Sequence, residues 1–158
     1  YIKTTDEDRK IFAFVGRCIE DWVRGDSGMI AATEITGPIN PETSFESAVA
    51  NCSDPVDGTY APGNGQTCMN ILECFQCHQM TVFKSDLHRL LSFYYLIKDE
   101  KHIISKTVWK KRFSPILKII DSQILPQFDQ KFVEAVKIEA RTNPHPMWAK
   151  LSILSIED

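Results

Sequence analysis

The chain has 158 residues, 43% hydrophobic and 25% charged, with a formal net charge of −3. That composition suits one globular domain with a sizeable core, without a long internal repeat or low-complexity tract, and the net charge excludes a surface that binds polyanions as a whole. No apolar run reaches about 18 residues, so no membrane span is expected. Charge is unevenly spread: residues 1–60 carry five basic and eleven acidic side chains, and residues 98–118 seven basic and two acidic. The second segment permits local contact with phosphate, although a solvated helix face has the same charge pattern.

The chain starts at Tyr1-Ile2-Lys3 without an initiator Met, which reads as a fragment or processed piece. Thr4-x-x-Glu7 and Thr5-x-x-Asp8 are helix-opening patterns. Ile11, Val15, Cys18 and Trp22 then recur at spacings of three and four, predicting an amphipathic helix over about 5–24 that ends at Gly25. Residues 29–35 suit a short strand or a helical turn, broken by Gly37-Pro38. Asn40 and Pro41 predict the cap and first position of a short helix running to Asn51.

The stretch from Cys52 to His78 is the least regular part of the chain. Four of the five cysteines fall within 26 positions, among Gly, Pro, Asn and Asp. A loop of that length needs something to hold it. Cys52, Cys68, Cys74 and Cys77 around one zinc ion would do so, with Cys74-x-x-Cys77 as the short knuckle. Four thiolates close the shell and leave no position for water, so the expected metal is structural. His78, beside Cys77, ranks below the four as a ligand. Disulfides need an oxidising compartment, and no secretory leader is evident, which favours a cytoplasmic setting. Buried free thiols are a further alternative, and that reading suits Cys18 on its apolar stripe.

Ser85 is the predicted cap of the next helix, with Leu87, Leu90, Leu91, Tyr94 and Ile97 as its buried stripe. A long helix is predicted over about 105–125, with Trp109, Phe113, Ile116, Leu117, Ile120 and Ile124 inward and a kink at Pro115. The last helix is predicted over about 127–142, carrying Phe128, Phe132, Val136 and Ala140, before Pro144-His145-Pro146-Met147-Trp148 turns the chain back. The fold class is therefore mainly α: a single helical domain over 1–158 with an irregular cysteine-rich loop at 52–78. Lys106, Lys110, Lys111 and Arg112, near the start of the long helix, are the candidate phosphate contacts. His88, His102 and His145 have no paired acid nearby in sequence and read as surface or packing residues. The carboxylates Glu46, Asp54 and Asp57 read as ordinary loop chemistry. No phosphate-cradling glycine motif, zincin motif or nucleophile elbow is present.

Several stretches together carry a resemblance. They are Cys52-Ser53-Asp54-Pro55, Pro62-Gly63-Asn64-Gly65 before Cys68, Leu72-Glu73-Cys74-Phe75-Gln76-Cys77, and Leu87-His88-Arg89-Leu90-Leu91-Ser92-Phe93-Tyr94. Ile119-Ile120-Asp121 and Pro144-His145-Pro146-Met147-Trp148 complete the set. In this order they resemble the region after the catalytic core of bacterial site-specific integrases, the tyrosine recombinases of mobile elements. The resemblance implies a role in DNA integration and recombination, with DNA as partner and self-association of protomers. In that family a tyrosine attacks a phosphodiester and forms a 3′-phosphotyrosyl link, while arginines and histidines stabilise the phosphate charge. Tyr1-Ile2 resembles the nucleophile position; no arginine–histidine set precedes it here, so the chain alone is not expected to recombine DNA. The resemblance thus implies an accessory C-terminal domain that supports DNA or protomer contacts. The alternative is a zinc-stabilised helical module that docks a protein and not DNA. A free-standing zinc hydrolase is disfavoured by the closed ligand set.

Overall fold

The computed structural model describes residues 30–34 and 45–150. The predicted first helix, Cys18 and Tyr1 lie outside the described residues. A mixed four-stranded sheet stands beside a helical body. Its strands are β1 (Ala31–Thr33), β2 (Phe45–Glu46), β3 (Asn51–Cys52) and β4 (Met80–Phe83), in the order β1-β4-β3-β2. β1 runs parallel to β4; β3 is antiparallel to both β4 and β2.

The sheet corrects the sequence reading at one place and decides between its alternatives at another. The predicted helix ending at Asn51 is, over its described part, the β2–β3 hairpin. Ser47 closes its turn: its N–H donates to Ala50 O at 2.9 Å, and its hydroxyl accepts from Ala50 N at 3.0 Å. A serine that satisfies backbone donors locally competes with helix formation. Residues 29–35, left open between strand and helical turn, supply a strand over Ala31–Thr33. Both strands of the hairpin are only two residues long, too short for an alternating pattern to show.

β4 leads through a 3-10 turn (Lys84–Asp86) into α1 (Leu87–Asp99). Ser85 is not the cap. Asp86 stands at the cap position without a side-chain bond into the helix; its carboxylate instead reaches back to close the 3-10 turn, accepting from Phe83 N at 2.8 Å. All five residues of the expected stripe are buried, and Phe93 and Tyr95 with them.

The long helix spans 106–124, opened by Ser105, whose hydroxyl accepts from Val108 N at 3.3 Å. We call it α2; it consists of Lys106–Val108, a π-helical turn Trp109–Phe113, Ser114–Ile119, and a second π-helical turn Ile120–Ile124. Each π turn stands just before a proline. Pro115 has no N–H for Lys111 O, and Pro126 none for Ser122 O. Ser114 N reaches back to Trp109 O, and Leu125 N to Ile120 O, five residues each. A widened turn thus carries the helix through Pro115, where the sequence predicts a kink. A 3-10 turn (Leu125–Gln127) follows, then α3 (Gln130–Thr142), which starts later than the sequence suggests because Asp129 is its cap and accepts from Phe132 N at 3.1 Å.

α1 packs chiefly on α3. The core runs without interruption from Val82 through Phe93, Phe113, Ile120 and Val133 to Trp148. Among the described residues no helix is long and apolar enough to cross a membrane.

Candidate functional site

Cys52 lies in β3 opposite Met80, so one thiol is fixed to the sheet. The other three belong to the excursion between β3 and β4. Asp54 Oδ1 accepts from Val56 N at 3.3 Å and Asp57 N at 2.8 Å, which makes it a turn former. Gly58 sits so close to the same turn that a Cβ would lie 2.3 Å from Asp54 O. Gly63 and Gly65 take φ of 74° and 79°, a left-handed backbone that other residues resist. The segment returns as Cys68 N donates to Pro55 O at 2.7 Å.

Cys74 and Cys77 sit at the end of a 3-10 turn (Ile71–Gln76), where Cys77 N donates to Cys74 O at 3.1 Å and Met80 N to Cys77 O at 3.3 Å. Leu72 and Phe75 on this turn are buried. The loop therefore has an apolar anchor, which the sequence reading did not foresee. Phe75 stacks on Phe93 at 6.0 Å, and Phe93 meets Trp148 at 4.8 Å. Trp148 Nε1 donates to Ala48 O at 3.1 Å, tying the C-terminal turn to the β2–β3 hairpin.

All four thiols are free. They feel one another: burial is the main cause that pushes the Cys74 thiol up to about 12, and Cys77, Cys52 and Cys68 add to it. Burial also raises Cys52; the N–H of Asp54 opposes the rise, while Cys77 and Cys68 reinforce it. Three thiols donate to oxygens: Cys68 to Tyr60 O at 3.5 Å, Cys74 to Asn70 O at 3.6 Å and Cys77 to Gln79 Oε1 at 2.9 Å. Among the described residues no three His, Cys, Asp or Glu side chains are drawn together as a metal-ligand group. The donor set nevertheless fits a structural zinc. Four sulfurs come from three segments, Cys52 and Cys74 lie within electrostatic reach of the other thiols, and a divalent cation is what holds several such sulfurs together as thiolates. Ligation would require the thiols to turn from their present oxygen partners.

Beside the loop lies a polar network that the sequence reading missed. Asn51 Nδ2 donates to both oxygens of Asp86 at 2.9 and 2.7 Å, and Arg89 Nη2 meets Asp86 Oδ1 at 3.1 Å and also donates to Ala50 O. Asn51, Asp86 and Arg89 are 1%, 3% and 7% exposed. Burial pushes the Asp86 carboxyl up, opposed by its donors Phe83 N–H, Asn51 and Arg89. The Asp86-x-x-Arg89 spacing was the available signal. His88 and His145, far apart in sequence, meet edge to face at 5.7 Å. Burial, then Arg89 and His88, lower the His145 pKa.

The basic segment falls on α2. Lys106, Lys110, Lys111 and Arg112 are exposed and make no ion pair among the described residues. The last three ride on the first π turn. In contrast, Lys84 and Lys137 are paired with Glu34 and Glu134 at 3.1 and 3.2 Å. Among the described residues nothing brings the basic run together with the thiols into one site.

No family model, no curated protein and no solved structure matches this chain.

Proposed function

We propose that this chain is an accessory, post-catalytic C-terminal domain of a tyrosine-recombinase-like integrase, holding DNA or a neighbouring protomer through α2 while zinc braces the cysteine loop. The observation that carries the DNA part is the run Lys110-Lys111-Arg112, exposed and without acidic partners among the described residues, on a widened helical turn. Cations left unpaired on one surface suit phosphate better than they suit fold stability. Cys52, Cys68, Cys74 and Cys77 would hold the zinc, and its chemistry would be structural: it would tie four thiolates from β3, the loop and the knuckle into one unit. Tyr1 is proposed as the nucleophile position of the parent, and Tyr1→Phe there should abolish covalent protein–DNA adducts while leaving binding intact.

The direct test is the salt dependence of duplex DNA binding. Replacing Lys106, Lys110, Lys111 and Arg112 with Gln should weaken binding and flatten the log–log salt slope by up to about 0.9 per lost contact. An unchanged slope overturns the assignment of the patch. A second reading, a zinc-stabilised protein-docking module, is favoured by Met69 and Ile138, which are 79% and 65% exposed. Binding through such an apolar surface would change little with salt.

A further inference from the structure

We infer that a cavity beside the basic run takes one unpaired nucleotide of a DNA strand, its base stacked on Trp109 and its phosphate met by lysines. This rests on the proposal that α2 meets DNA and goes beyond it, from sequence-blind contact with a duplex backbone to capture of a base out of the stack.

The cavity has a volume of about 630 Å³ and lies where the end of α1, the 3-10 turn Lys101–Ile103 and the start of α2 meet. Its lining is chemically mixed. Ile104 and Trp109 give an apolar floor, and Lys101, His102 and Lys106 supply cationic or donor groups. The Lys98 stem also lines it, but its ammonium is held by Tyr94 OH at 3.2 Å. Asp99 is the acidic residue of the lining.

Trp109 is the feature that selects among ligands. It is only half-buried and is backed by the buried ring of Phe113 at 6.5 Å and 26°. The Lys101 ammonium lies 4.8 Å from its centroid. A supported indole covered by one flexible lysine is a stacking platform. An entering base displaces the Lys101 side chain, whose ammonium is then placed to meet the adjoining phosphate together with Lys106. Neither lysine has an ion pair among the described residues to give up. Asp99 argues against a bare inorganic anion, which it would repel, and suits a base whose exocyclic amine can donate to it. A duplex presents no free base face, so the occupant is an unpaired or extruded nucleotide.

The test uses the full chain, a short single-stranded oligodeoxycytidylate, a duplex hairpin and inorganic phosphate as probes. The indole N–H resonance of Trp109, assigned with Trp109→Phe, reports occupancy. The inference expects a saturable shift with the single strand and none with phosphate. Trp109→Ala should weaken single-strand binding roughly 5- to 150-fold, the range that follows from losing one stacked base, while duplex binding is kept. Lys101→Gln, an exposed change that leaves the core untouched, should weaken the same binding and serves if Trp109→Ala does not fold. An indole that stays unmoved while the duplex binds through Lys110, Lys111 and Arg112 overturns the cavity and leaves the proposed function standing. An equal shift with phosphate alone also overturns it. Failure of both nucleic acids to bind sinks both readings.

Discussion

The loop between β3 and β4 and the helix α1 that follows are held in opposite ways. Over 53–79 only Leu72 and Phe75 are buried, whereas α1 buries nine of its 13 residues. The loop depends on side chains that grip backbone: Asp54 on its own turn, Asn70 on Tyr60 O, and Gln79, whose Oε1 accepts from Thr59 and Cys77. Each such bond nets about 1 kcal/mol. The helix depends on apolar area removed from water, at about 25 cal/mol per Å². A core of the second kind survives the loss of one polar contact. A loop of the first kind would gain most from a cross-link, and its four thiols are the groups proposed to provide one.

The largest expected effect follows from removing the proposed zinc cross-link. Structural zinc in small peptides is worth on the order of 10–16 kcal/mol. Cys74→Ser or Cys77→Ser should free the loop to proteases while the helical circular dichroism stays nearly unchanged, and elemental analysis should fall from one equivalent of zinc to none. Protein purified without chelator that carries no zinc, with four thiols titrating in the native state, would refute the metal.

Asp86→Ala should act on both regions, because Asp86 joins Asn51 beside the loop to Arg89 in α1. It strands a buried guanidinium whose Nε already has no partner among the described residues. Loss of one member of a buried pair costs about 3–5 kcal/mol, and denaturant melts should show it as one cooperative shift. A loss below about 1 kcal/mol would mean that water or Glu46, now 3.8 Å from Arg89 Nη1, takes over.

The smallest effect is expected at the hydroxyl of a buried tyrosine in α1. Tyr94 OH donates to Asp121 at 3.0 Å and accepts from Lys98 at 3.2 Å. Tyr94→Phe should cost about 1 kcal/mol and leave zinc content alone. The phenol is raised to about 12 by burial and then by Asp121. Its folded pKa stands above the unfolded value, so its contribution is complete below about 10 and fades as pH rises through about 12. Alkaline titration followed by tyrosinate absorbance should show one late tyrosine that is absent from the Phe variant. A variant with the wild-type titration curve would contradict this.

The sequence by itself determined the helical body. Leucines and aromatics at spacings of three and four fix which face of a helix turns inward, and α1 buries every residue so predicted. Prolines without N–H groups marked 115 and 126 as irregular, and turn-rich composition marked 52–78 as a loop. Tertiary structure alone decided the rest. Strands of two and three residues have no legible period; β1 and β3 exist because β4 offers them hydrogen bonds on its two sides, and β2 because β3 does. Asp129 rather than the chain after Pro126 starts α3 because its carboxylate finds Phe132 N. Lys101 and His102 look like loop charges until the turn between α1 and α2 brings them to Trp109. The thiols were legible as a spacing, but what sets Cys52 beside the end of its own loop is the pairing of β3 with β4, which places Cys52 opposite Met80, three residues after Cys77.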